Sequence, residues 1–271
     1  MTHDRPSVRE AGTGPAVLCL HCNASSSSQW RDLMDTLSPR FRVLAPDSYG
    51  AGKSIDWPSD STICLDDEIA FLEPVLRAAG DRFFIVAQSY GAAIALKAAL
   101  REPRRVRALV VYEPTLFSLI DAESAQPNAA DGIRHAVQAA GKALDEGSPD
   151  GAAQHFIDYW MGPSSWANTP DARKAPISAS IVNVRRWGHA LLTEPTGLDA
   201  FRVLDIPVLY MVGQSSPPSS LGVARLMTGA LPRVEVIQFD GLGHMGPITH
   251  PRQVNEVIAD FLDRQITAYG C

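Results

Sequence analysis

Several large classes of function find little support in this sequence. Only four cysteines occur in 271 residues, Cys19, Cys22, Cys64 and Cys271. Their spacing does not resemble a disulfide framework, which argues against a stapled secreted domain. Cys19 and Cys22 stand alone, without the further ligands a zinc site needs. Cys19 lies in an apolar stretch and reads as a small core hydrophobe. Long apolar runs are also missing. Ala16 to Leu20 is too short for a signal core or a bilayer span, and Met1 to Pro6 is polar. Export and membrane attachment are therefore not indicated, and the expected compartment is the cytoplasm. No long lysine or arginine run occurs, and the formal net charge is -6, which disfavours a nucleic-acid surface. Charged residues make up 20% and hydrophobic residues 45%, enough for a large core and too apolar for disorder. There is no internal repeat. The length suits one α/β core carrying an insertion.

The chain alternates in a regular way through its first half. Ala16-Val17-Leu18-Cys19-Leu20 is short, apolar and bounded by turn signals, so it reads as a buried strand. It runs into His21-Cys22-Asn23-Ala24 and four serines, a loop and helix cap, and a helix follows over Arg31 to Leu37. Phe41 to Ala45 is the next strand. Leu65 to Ala79 carries apolar residues at helical spacing, with Gly80 as its stop. The apolar run Arg82 to Val86 and the run Val106 to Val111 complete a strand–helix rhythm that predicts a parallel sheet covered on both faces. From about Thr115 to Ala200 no strong strand is visible. Helices are expected over Ile133 to Leu144, Ala152 to Trp160 and Ile181 to Leu192. Three of the five tryptophans, Trp160, Trp166 and Trp187, fall here. The rhythm resumes with the strand Ile206 to Val212, a helix over Leu221 to Leu231, the strand Val234 to Phe239 and a terminal helix from about Gln253 to Ile266. The division expected is a core of residues 1–114 and 201–271 with a helical lid of residues 115–200.

Two short motifs were weighed for chemistry. Gly52-Lys53-Ser54 has the end of a phosphate-binding loop, but G-x-x-x-x-G-K-[ST] would need glycine where Asp47 stands, and an acid there repels phosphate. The nucleotide reading is rejected. Ala87-Gln88-Ser89-Tyr90-Gly91 is different. It joins a buried strand directly to a helix, with small residues two before and two after the serine. A nucleophilic serine at such a corner sits in a strained backbone and tolerates only small neighbours. Ala87 replaces the glycine of the usual G-x-S-x-G. The helix would begin near Tyr90, whose backbone N–H can face a developing oxyanion.

With Ser89 in this setting, His21-Cys22-Asn23 after the first buried strand, Asp47 to Ser54 after the next, and Gly243-His244 after the last, the chain resembles an α/β-hydrolase over almost its whole length. That resemblance implies a mostly parallel eight-stranded sheet with helices on both faces and a helical cap inserted after the sixth strand. It implies catalysis at the carboxyl ends of the strands, with no metal and no organic cofactor and a small molecule as substrate. A serine hydroxyl needs an adjacent base, and His244, on a glycine-flanked loop after a strand, has the best context of the seven histidines. His250 is the nearest rival but precedes Pro251, while His135, His155 and His189 fall in the lid. His21 matches the family's histidine beside the oxyanion loop and is expected to hold that loop. Backbone N–H groups of Asn23 and Tyr90 would form the oxyanion hole, although Cys22 stands where the family commonly has glycine.

The third catalytic member departs from the family's pattern. The usual aspartate would follow the strand Pro207 to Val212, but the loop reads Gly213-Gln214-Ser215-Ser216-Pro217-Pro218, and no acid occurs between Asp205 and Glu235. The alternative is Glu113, at the end of the strand after the nucleophile helix, a place some relatives use. Ser89 argues against the aspartate-dependent dehalogenases and epoxide hydrolases. The reading is a serine hydrolase of ester-type bonds in small, largely apolar substrates. Carbon–carbon bond or lactone hydrolysis, cofactor-free perhydrolase chemistry, a Cys22 nucleophile, and a ligand-binding protein with vestigial turnover are the alternatives. Trp30, Phe117, Trp160, Met161, Trp187 and Met245 are candidates to line an apolar cleft with few polar anchors.

Overall fold

The computed structural model describes residues 5–269; Cys271 lies outside the described residues. In chain order the elements are β1 (Val8–Ala11), β2 (Ala16–Leu20), α1 (Arg31–Leu37), β3 (Arg42–Pro46), α2 (Leu65–Ala78), β4 (Phe83–Gln88), α3 (Ser89–Arg101) and β5 (Val106–Tyr112). Helices α4 (Ser118–Glu123), α5 (Asp131–Asp145), α6 (Pro149–Met161), α7 (Asp171–Ser180), α8 (Val184–Leu192) and α9 (Leu198–Arg202) follow without a strand. The sheet resumes with β6 (Val208–Gly213), α10 (Pro218–Ala230), β7 (Val234–Phe239), α11 (Gly246–Thr249) and α12 (Pro251–Tyr269).

The sheet order is β1-β3-β2-β4-β5-β6-β7. All neighbours are parallel except β1, which pairs antiparallel with β3. The expected eight strands are thus seven among the described residues, and the helical insertion follows the fifth strand rather than the sixth. Before the insertion only β1 to β5 form, and the remaining described residues there are helix or loop.

Alternation along the central strands sends side chains to two cores. Leu18, Leu20, Ile85, Ala87, Leu109 and Val111 face α2 and α3. Val17, Cys19, Phe84, Val86 and Val110 face α1 and α12. Helices cover both faces, so the parallel strands are apolar on both sides. Trp30 belongs to this second core, 2% exposed among Leu33, Met34 and Phe84. It is therefore core packing on the far side of the sheet and not a pocket residue, a correction to the expectation above. Polar contacts tie the helical insertion to the core at Glu194 and at Tyr159. Lys97 on α3 meets Glu194 at 2.7 Å and Asp66 at 2.9 Å, and Tyr159 on α6 shares a 2.6 Å hydrogen bond with Ser219 on α10.

Candidate active site

Ser89 is the first residue of α3 and follows β4 without a connecting loop. Its φ is +55°, in the left-handed region that an L-residue enters only under constraint. The constraint is close packing. A Cβ on Gly91 would come within 2.5 Å of the carbonyl oxygens of Leu20 and His21, so the helix can reach this near to β2 only with glycine there. The result is a serine held above the strand ends, 5% exposed, at the start of a helix whose first N–H groups have no acceptor within the helix.

His244 lies between β7 and α11. Its Nε2 is 2.9 Å from Ser89 Oγ and its Nδ1 is 2.6 Å from Glu113 Oε2. A carboxylate can only accept, so Nδ1 carries the proton and Nε2 is free to accept from the serine hydroxyl. Ser220 Oγ stands 3.3 Å from the same Nδ1. Glu113 follows β5, is fully buried, and has a positive φ of +47°. Its second oxygen, Oε1, accepts from Gly213 N–H at 2.7 Å and from Ser216 Oγ at 2.5 Å. Ser216, which stands where the usual acid was expected, thus hydrogen-bonds the acid that reaches in from the neighbouring strand. Both oxygens of this buried carboxylate thus have hydrogen-bond donors, as a buried polar group requires.

The loops around this relay are cross-braced. His21 Nδ1 donates to Cys22 O at 2.7 Å, and its Nε2 accepts from Ser48 N–H at 3.1 Å. Burial pushes the His21 imidazole below its ordinary pKa, which keeps it neutral and able to fill both roles. Asp47 accepts from Ser27 N–H at 2.6 Å and from Lys53 N–H at 3.0 Å, so the loop once compared with a phosphate cradle closes on its own acid instead. The sequence reading missed a chain of amides. Cys22 N–H donates to Gln29 Oε1 at 3.1 Å, Gln29 Nε2 to Gln88 Oε1 at 2.5 Å, and Gln88 Nε2 to the His244 carbonyl at 2.8 Å. It ties the loop after β2 to the loop after β7. Gln88, fully buried beside the serine, was the available signal.

A cavity of about 840 Å³ opens over Ser89 and His244, and Asn23 lines it. Of the expected lining residues, Trp160, Met161 and Met245 border this cavity. Phe117 and Trp187, again with Trp160, border a slot of about 20 Å³ that also reaches Ser89. Thr115 lines the slot too, with its buried hydroxyl unpartnered among the described residues. Trp160 stacks on His244 with ring centroids 3.9 Å apart and planes at 24°. The lining also includes Ser25, Ser26, Ser28, Asn168, Thr169 and Arg173, more polar groups than an apolar cleft with few polar anchors would have.

The remaining sequence candidates lie elsewhere. His135, His155, His189 and His250 are exposed. Cys22 lines the cavity, but burial pushes its thiol up to about 12, so it stays protonated and weakly nucleophilic at neutral pH. Tyr90 is buried, its hydroxyl donating to Glu68 at 3.1 Å. No group of three or more metal-ligating side chains occurs among the described residues, and no described helix is long and apolar enough to cross a membrane.

Comparison with known proteins places this geometry. A 2-(acetamidomethylene)succinate hydrolase of Mesorhizobium japonicum is 28% identical over 262 residues, covering 95% of this chain and 91% of that protein. A haloalkane dehalogenase of the same organism is 39% identical over 109 residues, but this spans only 40% of the chain and 35% of the dehalogenase. The structure of a thermophilic esterase from Thermogutta terrifontis superposes with a TM-score of 0.75 at 23% identity, covering 96% and 93% of the two chains, a likeness of fold. The alpha/beta hydrolase fold model matches residues 15–251. With its parallel sheet, strand-end serine and covering helices, the chain belongs to the alpha/beta hydrolase fold family.

Proposed function

We propose that this chain is a serine hydrolase that cleaves ester-type bonds through an acyl-enzyme. The observation that carries the reading is the continuous relay Ser89 Oγ–His244 Nε2 at 2.9 Å and His244 Nδ1–Glu113 Oε2 at 2.6 Å, inside a site that opens to a cavity. Each residue has a distinct role. His244 takes the proton of Ser89 Oγ as the oxygen attacks the carbonyl carbon. Glu113 balances the imidazolium and fixes its tautomer. The N–H groups of Asn23 and Tyr90 stabilise the oxyanion, with Tyr90 aided by the positive end of α3. His244 then protonates the departing alcohol, and a water activated by the same imidazole releases the acid.

In this scheme residues 115–200 form the lid and residues 1–114 with 201–271 the catalytic core. Stacking of Trp160 on His244 gives the lid a direct part in the relay, since an aromatic face favours a cation against it. The partial match to dehalogenases does not extend to their chemistry. Displacement of a halide by a serine oxygen would leave an ether that water does not cleave, whereas attack at a carbonyl leaves a hydrolysable ester. The full-length relative, named as a hydrolase of an acetamido-substituted succinate, supports attack at an acyl carbon.

The test is Ser89→Ala with 4-nitrophenyl acetate as substrate. Removal of the nucleophile should lower kcat/KM by a factor on the order of a thousand or more, with circular dichroism and Tm unchanged. Near-normal turnover by the variant would end the proposal.

A further inference from the structure

Ser89 borders two spaces of unequal size and character. One is a narrow slot of about 20 Å³, lined by Phe117, Ile133, Trp160, Trp187 and Leu191. A space this small holds one or two heavy atoms. The other is a cavity of about 840 Å³ whose lining carries several serine and threonine hydroxyls. Arg173, near the start of α7, is the only lysine or arginine among the described residues that line it. Its guanidinium has no hydrogen bond or ion pair within the described residues, although acids elsewhere on the surface are commonly paired. Arg173 also stands near enough to the Cys22 thiol for its charge to act on that group. Arg173 is exposed, so its charge is solvated in the free protein and open to an anionic group entering the cavity it lines.

The order of events in acyl transfer assigns the two spaces. The alcohol must leave and water must enter while the acyl group remains bonded to Ser89. A narrow, mostly apolar slot suits a small part that stays, and the large cavity suits the part that departs. Among the described residues the cavity lining holds one arginine and one acid, Asp56, so it offers a single cationic contact, which suits one carboxylate better than a doubly charged phosphate.

Resting on the acyl-transfer reading above, we propose that the substrate is a short-chain ester, with an acetyl- or propionyl-sized acyl group, of an alcohol that carries a carboxylate, and that Arg173 binds this carboxylate. The balance is simple. The Ser89 Oγ–acyl bond forms as the bond from the acyl carbon to the alcohol oxygen breaks. The serine proton passes through His244 to the alcohol. Water then supplies the hydroxyl of the released short-chain acid and returns a proton to Ser89. The carboxylate of the alcohol is unchanged throughout and serves for recognition only. A charged ester departs from the largely apolar substrate expected from the aromatic content of the lid, because Arg173 lines the cavity together with Phe156 and Trp160.

The experiment compares 4-acetoxybenzoate with its methyl ester, followed by phenol release, in the wild-type enzyme, Arg173→Ala and Arg173→Glu. Using the same two esters in each protein cancels their intrinsic reactivities. The ratio of kcat/KM, charged over neutral, should fall on the order of tenfold in Arg173→Ala, mainly through KM, and further in Arg173→Glu, the size of one charge-assisted hydrogen bond at an accessible site. Raising the salt concentration should lower the ratio in the wild type and not in Arg173→Ala. Lengthening the acyl group from acetyl to hexanoyl should lower turnover in every variant. An unchanged ratio across the three proteins overturns the role of Arg173, and a preference for hexanoyl overturns the assignment of the slot. Failure of the underlying reading has a different signature: no turnover of either ester by the wild type and no labelling of Ser89 by a fluorophosphonate, in which case the substrate proposal falls with it.

Discussion

The strand ends and the helical segment meet at one cavity but hold their residues in different ways. At the strand ends, Ser89, Glu113 and His244 are each at most 5% exposed, and Glu113 and His244 are each fixed by several partners. Ser89 and Glu113 also hold left-handed backbone conformations that only a surrounding rigid structure sustains. The helical segment packs most of its helices into the core but leaves one of them loosely held. Its helix α7 has no buried residue and carries Pro176 inside it. Arg173 projects from that helix without a partner. The difference separates two tasks. Atoms that transfer protons must be placed to within a few tenths of an ångström, and the parallel sheet supplies that. Groups that select a substrate must let it enter and leave, and a loosely packed helix allows that.

The largest break in this comparison should come from the over-determined side. Glu113→Gln keeps the size of the side chain and removes its charge. It should lower kcat on the order of a thousandfold or more, because the imidazolium loses its counter-charge and its tautomer is no longer enforced. Steady-state kinetics on 4-nitrophenyl acetate measures this. Adding Ser216→Asp to Glu113→Gln should restore part of the loss, since position 216 already lies within hydrogen-bond reach of Glu113. Ser216→Ala alone should have a smaller effect, on the order of tenfold, from the loss of one hydrogen bond to a buried carboxylate.

The lid side should respond more mildly. Trp160→Leu removes the aromatic face from His244 and should lower kcat on the order of tenfold, with Trp160→Phe retaining more activity, as expected of a contact worth about 1 kcal/mol. Equal loss in both variants would mean that the indole acts only by filling space. Trp30→Phe, altered on the far side of the sheet, should leave the substrate profile unchanged, and a shifted profile would return Trp30 to the pocket.

A stability measurement sharpens the same contrast within the core. Glu68 is buried on α2 and bonded to Tyr90, and burial pushes its carboxyl up to about 7. A carboxyl whose pKa is higher in the folded state binds more protons there than in the unfolded chain. Its contribution to stability is complete below the ordinary carboxylate range and is lost as pH rises toward 7. Urea unfolding should therefore show stability declining across that window, by at most roughly 3 kcal/mol. Glu68→Gln should flatten the decline, and an unchanged slope in the variant would assign it to other groups.

How much of this was legible in the sequence follows the same division. The buried strands β2, β4 and β5 are continuous apolar runs, and the serine corner and the glycine-flanked His244 follow them at once, so pattern reveals them. Glu113 was legible only through the resemblance, since some relatives carry their acid after this strand and the loop after β6 holds none. The exposed edge strand β1, Val8–Ala11, carries Arg9 and Glu10 and shows no buried face, so it gave no strand signal. Helix α7 escaped for the corresponding reason, having no apolar stripe to bury. Composition could place aromatic residues in the lid but could not say which face of the sheet Trp30 would join. Arg173 and the Gln29–Gln88 pair had no local signature, since their significance comes from distant residues that folding brings together.

The central claim is that Ser89 is activated through His244 by Glu113. Its most direct test is the rate and site of fluorophosphonate labelling, read by peptide mapping, in the wild type and in Glu113→Gln. The account predicts a single adduct on Ser89 in the wild type and labelling slowed by orders of magnitude in the variant. Equal rates in the two proteins, or an adduct on another residue, would contradict it.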